Sequence, residues 1–244
     1  GWTPAAAVTA RILVAAAVLL IPGVIALRGR WHLLRANAGF VIGYGLMVTA
    51  ICQFAYFSAV DHLQVGVALL IEYTALVAVV GWLWLRHGQR PGRLTAIGGV
   101  VAAFGLVLVL DLLSGADLNA VGVAWALLAM VGAATYFVMS AQVGNGLPPV
   151  VLAAAGLVVG GLGLLLAGAV GLLDMSWSTQ PASYDGVEVA WWLPVLGLGV
   201  VTCAVAYTAG IAATRVLGSR VASFVALLEV VLELLFAWLL LDEL

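Results

Sequence analysis

Apolar residues run through this chain in long blocks. Blocks of membrane-spanning length fall at 5–27, 37–60, 64–85, 94–112, 120–142, 149–172, 190–213 and 219–241. About twenty apolar residues cross the hydrocarbon core as a helix, so the pattern predicts eight transmembrane helices, h1 to h8, in an all-α polytopic membrane protein. An outer-membrane barrel would need short segments of alternating polarity, and none is visible.

The charges between the blocks sort by sign. Arg28, Arg30 and Arg35 lie between h1 and h2, Arg86, Arg90 and Arg93 between h3 and h4, and Arg215 and Arg220 between h7 and h8. The other set of loops collects Asp61, Asp111, Asp117, Asp174, Asp185, Glu188, Asp242 and Glu243. By the positive-inside rule the arginine side is cytoplasmic, and both ends of the chain then face outward. Trp31, Trp82, Trp84, Trp177, Trp191, Trp192 and Trp238 stand at block ends, where interfacial aromatics belong. The polar stretch "DMSWSTQPASYDGVEV" reads as an external loop without a motif.

Composition agrees: 65% of the 244 residues are hydrophobic and 8% are charged, too few charges to cover a soluble domain. The net charge of -2 leaves no electrostatic footprint for nucleic acid. All the basic residues are arginine, which reads as the codon bias of a GC-rich bacterial genome. That places the protein in a bacterial inner membrane, with the lipid bilayer as its solvent. Cys52 and Cys203 lie inside apolar blocks without metal-ligand spacing and read as small buried hydrophobes. Nothing calls for a cofactor or a metal.

An internal repeat is present. "CQFAYFSAV" in h2 and "CAVAYTAGI" in h7 share C-x-x-A-Y, with Cys52 and Tyr56 matching Cys203 and Tyr207. "VALLIEYTALVAVVGWLWL" in h3 and "VALLEVVLELLFAWLLL" in h8 each lead V-A-L-L into a buried Glu, then a Trp nine or ten residues on. The offset is five helices, an odd number, so the second copy must insert upside down. A five-helix unit implies one more helix before h1 and one after h8.

On these residues the chain resembles EamA-type members of the drug/metabolite transporter superfamily, most clearly in "LQVGVALLIEYTALVAVVGWLWLRHGQRP" and "GIAATRVLGSRVASFVALLEVVLELLFAWLLLDEL". The resemblance covers essentially the whole chain. It implies a ten-helix fold of two inverted repeats, here 1–113 lacking its first helix and 118–244 lacking its last. It also implies export of amino acids or other small metabolites, with proton coupling. A homodimer is left open. Many members carry Pro after the buried acids; Leu76 and Val230 stand near those places here, so the proline kinks are absent.

Four charges remain inside the blocks: Arg11, Glu72, Glu229 and Glu233. An acid at bilayer depth costs about 2.5–3.5 kcal/mol on insertion scales, so each should face the bundle interior or water. Glu72 lies about 10 Å from the outer end of h3, and Arg11 at similar depth in h1 is a plausible partner. Together they suit a zwitterion, ammonium on Glu72 and carboxylate on Arg11; the structural alternative is an interhelical pair without a role in turnover. Glu229 and Glu233, one helical turn apart, form the inverted counterpart and could share a proton. Tyr56, Tyr207 and Gln53 are candidates for orienting substrate, while Tyr136 and Tyr73 read as core. "GFVIG" and "GLVVG" have G-x-x-x-G spacing and indicate close helix packing.

The leading function is therefore a secondary transporter that exports a small metabolite by alternating access. A multidrug or cationic-compound exporter is the alternative within transport, and a non-transporting membrane scaffold the alternative outside it. An enzyme is not expected, because no H-E-x-x-H, G-x-S-x-G or nucleotide-binding motif appears.

Overall fold

A computed structural model describes residues 2–109, 119–184, 187–229 and 232. Among the described residues the regular structure is helical apart from two short strands, β1 (Ala182–Tyr184) paired antiparallel with β2 (Val187–Val189) in the stretch expected to be loop. The helices are α1 (Pro4–Ala26), α2 (Trp31–Ala36), α3 (Ala38–Val60), α4 (Val65–Arg86), α5 (Arg93–Val109), α6 (Ala120–Ser140), α7 (Pro149–Ala169) and α8 (Trp192–Ala226). Six of them, all but α2 and α5, are long and apolar enough to cross a membrane among the described residues. α5 has 17 described residues. α8 holds two of the expected blocks, h7 and the start of h8. Gly218 divides them with φ 78° and ψ 159°, a conformation open essentially to glycine alone.

Local chemistry sets several of these boundaries. The Thr3 side chain caps α1 by accepting from the Ala6 amide, with Pro4 at the first position. Asn119 caps α6 by accepting from the amides of Val121 and Gly122. Gly88, at φ 65°, ends the helix of α4, its amide and that of Gln89 returning to the carbonyls of Trp84 and Leu83.

Two long helices are not uniformly α. Gly45–Ile51 within α3 and Leu198–Val205 within α8 are wound as π-helix, a rare conformation in which each bond closes over five residues. Each π segment begins at a carbonyl that accepts from a threonine four residues on, Thr49 to Gly45 at 2.5 Å and Thr202 to Leu198 at 2.7 Å. Each also precedes or overlaps one copy of the C-x-x-A-Y repeat. A third irregularity lies beside Glu72, where α4 is interrupted at Thr74, whose hydroxyl donates to the Ile71 carbonyl at 2.6 Å. Thr74 itself keeps right-handed helical dihedrals, φ -64° and ψ -6°.

The core is built on small residues. α7 packs along α1 and the π segment of α3, while α6 packs along the rest of α3, α4 and α8. Gly156 and Gly160 of α7 face α3 so closely that a Cβ on Gly156 would lie 2.7 Å from the Tyr44 ring, and one on Gly160 would strike the Thr49 hydroxyl. Thr49 Oγ1 also lies 2.8 Å from the Gly156 carbonyl. Gly39 and Gly43 have nothing within 4 Å, so only one of the two G-x-x-x-G stretches is a seam among the described residues. Large apolar side chains stand exposed around the bundle, among them Leu85, Leu94 and Val216, as expected of a surface solvated by lipid.

The loops gather at two ends as the alternation of charge requires. At the arginine-rich end, Arg220 Nη2 donates to the Gln89 carbonyl, Arg215 Nη1 to the Leu147 carbonyl and Asn37 Nδ2 to the Asn145 carbonyl. At the other end the Thr3 hydroxyl donates to the Asp174 carbonyl, Trp2 Nε1 to the Ser178 carbonyl, and the Trp2 ring lies 6.1 Å from that of Trp191.

Candidate functional site

Charged and polar side chains meet inside the bundle where α1, α3, α4, α6 and α8 converge. Arg11, on α1, donates from Nη2 to Gln53 Oε1 on α3, and its guanidinium stands 4.9 Å from the centroid of the Phe57 ring. Phe57 lies four residues after Gln53, so the two share one helical face and hold the same cation. Gln53 spends its other end on α8: Nε2 donates to the Tyr207 hydroxyl at 2.9 Å, and that hydroxyl is 3.3 Å from the Val48 carbonyl. A single amide thereby couples three helices. Arg11 Nε is buried without a hydrogen-bond partner.

Glu72 does not take Arg11 as a salt-bridge partner. The guanidinium goes to Gln53 because the amide and Phe57 ring lie together on α3, whereas Glu72 lies within its electrostatic reach but not bonded to it. The Glu72 carboxylate lies instead 4.0 Å, Oε1 to Sγ, from Cys52, whose thiol is also 3.4 Å from the Ala129 carbonyl. Cys52 is pinned there by Gly132, which leaves no room for a Cβ against it. Glu229 is exposed. Glu233, Val230 and Trp238 lie outside the described residues.

Tyr56 stands at the edge of this cluster, beside Phe57. It packs with Ala59, Ala68 and Ile71 in a separate apolar group, its ring 5.8 Å from that of Phe57. Tyr207, its counterpart, is buried at the centre. Three residues that the sequence reading did not single out as polar contributors join in: Phe57, Cys52 and Tyr136. Tyr136 meets Tyr207 edge to face at 5.8 Å, and a Cβ on Gly210 would strike its hydroxyl. The i, i+4 spacing from Gln53 was a usable signal for Phe57, and the C-x-x-A-Y repeat was one for Cys52. Nothing in the sequence marked Tyr136.

Chemically the cluster offers a cation held by an amide and a ring, a carboxylate facing a thiol, and a tyrosine hydroxyl between them. Such groups bind and orient a small polar solute or exchange protons.

Comparison with known proteins accords with this arrangement. One crystal structure, described no further than as that of a protein, aligns with a TM-score of 0.60 at 22% identity over 96% of this chain and 80% of its own, which establishes the fold. No curated protein matches. The family model described as "EamA-like transporter family" matches residues 1–111 and 120–244. The chain belongs to the EamA-like transporter family and is a multi-pass membrane protein of the drug/metabolite transporter superfamily.

Proposed function

We propose that this protein is a secondary active transporter that exports a small amphipathic metabolite, an amino acid or a close relative, with proton coupling. The arginine-rich end is cytoplasmic in this reading, both ends of the chain face outward, and the membrane is a bacterial inner membrane. Residues 1–113 and 118–244 are two inverted repeats of a ten-helix fold. The paired π segments, each beside a copy of C-x-x-A-Y, support that symmetry.

The observation that carries the reading is that Arg11 and Glu72 reach adjacent residues of α3, Gln53 and Cys52, without bonding to each other. A zwitterion between them meets a cation for its carboxylate and an anion for its ammonium. Gln53 and Tyr207 orient it, and Glu229 and Glu233 supply the mirrored acids for the proton. Tyr56 serves packing in this account.

The test uses full-length protein in proteoliposomes, a panel of labelled amino acids and an imposed pH gradient, with Glu72→Gln beside wild type. Gradient-driven flux that Glu72→Gln abolishes, in protein that keeps its thermal midpoint, supports the reading. Flux of lipophilic cations in place of amino acids would replace it with the drug-exporter reading, and flux indifferent to Glu72 would remove the acid from the mechanism.

A further inference from the structure

A cavity of about 460 Å³ opens at the arginine-rich end, away from the Arg11–Gln53–Tyr207 cluster. Trp82 and Arg86 of α4, Gln89 of the following turn, Gln142 just beyond α6 and Ser219 of α8 line it. No lining side chain is acidic among the described residues.

The lining gives this cavity an anion's chemistry. Arg86 stands over the Trp82 ring at 5.9 Å, a contact that leaves the guanidinium charge un-neutralised. Arg220 follows the lining residue Ser219 and donates from Nη2 to the carbonyl of Gln89, another lining residue, at 3.3 Å, which places a second positive charge beside the cavity. Gly218 breaks α8 immediately before Ser219, so the restarted helix begins at the cavity wall. The amides of Gln89 and Gln142 add neutral donors. The volume is within the range of small-molecule sites and suits a phosphate group with a modest substituent.

We propose that this cavity is a second binding site, separate from the transport cluster, that takes a phosphate group carried either by a membrane phospholipid headgroup or by a small soluble ester. It stands on the cavity's own residues and does not depend on what the central cluster transports. Binding would bridge α4, α6 and the restarted half of α8, which already pack against one another.

The test measures the thermal midpoint of full-length protein in neutral detergent under two titrations. One is inorganic phosphate against chloride at equal ionic strength. The other is phosphatidylglycerol against phosphatidylcholine in mixed micelles. Arg86→Gln is compared with wild type and with Arg28→Gln, which removes an arginine of another loop. A midpoint raised by phosphate identifies a soluble oxyanion; one raised by phosphatidylglycerol alone identifies the headgroup; both support the site. Arg86→Gln should weaken either response roughly ten- to a hundredfold, as loss of a charge-assisted bond requires, while Arg28→Gln keeps it. Should Arg86→Gln fail to fold, Gln142→Leu reads the same site through its amide. No response in wild type, or a response unchanged in the cavity variants, overturns the proposal.

Discussion

Gly160→Ala puts the packing argument to its sharpest test, because the structure supplies both the cost and the control. The new methyl would overlap the Thr49 hydroxyl and lie 2.8 Å from the Gly45 carbonyl and 2.9 Å from Thr49 Cβ. All three atoms belong to a β-branched side chain or to backbone, and the Thr49 Cβ and the Gly45 carbonyl cannot swing aside, so α3 and α7 must separate. Overpacking of this kind costs about 1–3 kcal/mol. Separation also stretches the 2.8 Å contact from Thr49 to the Gly156 carbonyl, worth about 0.6 kcal/mol between membrane helices. The sum is roughly 2–4 kcal/mol, or about 5–15 °C in midpoint for a chain of this size. Gly43→Ala is the matched control: nothing lies within 4 Å of its Cβ, and alanine favours helix by up to about 1 kcal/mol. The assay is thermal unfolding of both variants in one detergent, followed by tryptophan fluorescence. Equal midpoints for the two variants would refute the claim that Gly156 and Gly160 form the seam.

The central amide and the break in α8 give two more tests. Gln53→Leu removes the acceptor of Arg11 and the donor of Tyr207 together, and should destabilise by about 2 kcal/mol. In a double-mutant cycle with Tyr207→Phe by chemical denaturation, a coupling of about 0.5 kcal/mol or more is expected, and simple additivity would sever the link. Gly218→Ala meets no neighbour within 4 Å, so its cost is backbone strain alone, about 1–3 kcal/mol. Gly197→Ala, equally open and at helical φ, should be neutral by the same thermal assay; equal effects would show that Gly218 is not strained by a side chain.

Much of the fold was legible because hydrocarbon is a demanding solvent. Arginine placement alone sorted the loops, and the structure gathers those loops at one end through Arg220, Arg215 and Asn37. The candidate site was legible in membership more than in pairing. Arg11, Glu72, Gln53 and Tyr207 do converge, since a charge or amide inside an apolar helix has few places to go. The Arg11–Glu72 bond was not foreseeable as absent, because an all-apolar helix carries no polar face to fix its rotation, and Gln53 with Phe57 competes for the cation. Tyr56 and Tyr207 are identical in their motifs yet part ways, one into an apolar group and one to the centre. The glycine motifs teach the same point: "GLVVG" meets a facing helix and "GFVIG" does not, a difference residing in the partner. The π segments had no signature at all, since their sequences are ordinary apolar helix.

Those π segments alter what kinds of genetic change the protein can absorb. A turn that closes over five residues holds one more residue than its α neighbour, so deleting a single residue within 45–51 would let α3 continue as regular helix. Residues beyond it would keep nearly their present rotation, because the widened turn already absorbs the extra residue, and Cys52 and Gln53 would still meet Glu72 and Arg11; a deletion in the regular part of α3 before Cys52 would rotate them by about 100°. The same holds for 198–205 and Tyr207. Side chains in these stretches are fixed by their neighbours, since a Cβ on Gly45 would lie 2.6 Å from Val159 and one on Gly199 2.5 Å from Val14, whereas a one-codon deletion leaves an unbroken, fully hydrophobic span. Natural variants of this chain should therefore change length by one residue more readily in these two stretches than elsewhere in α3 or α8.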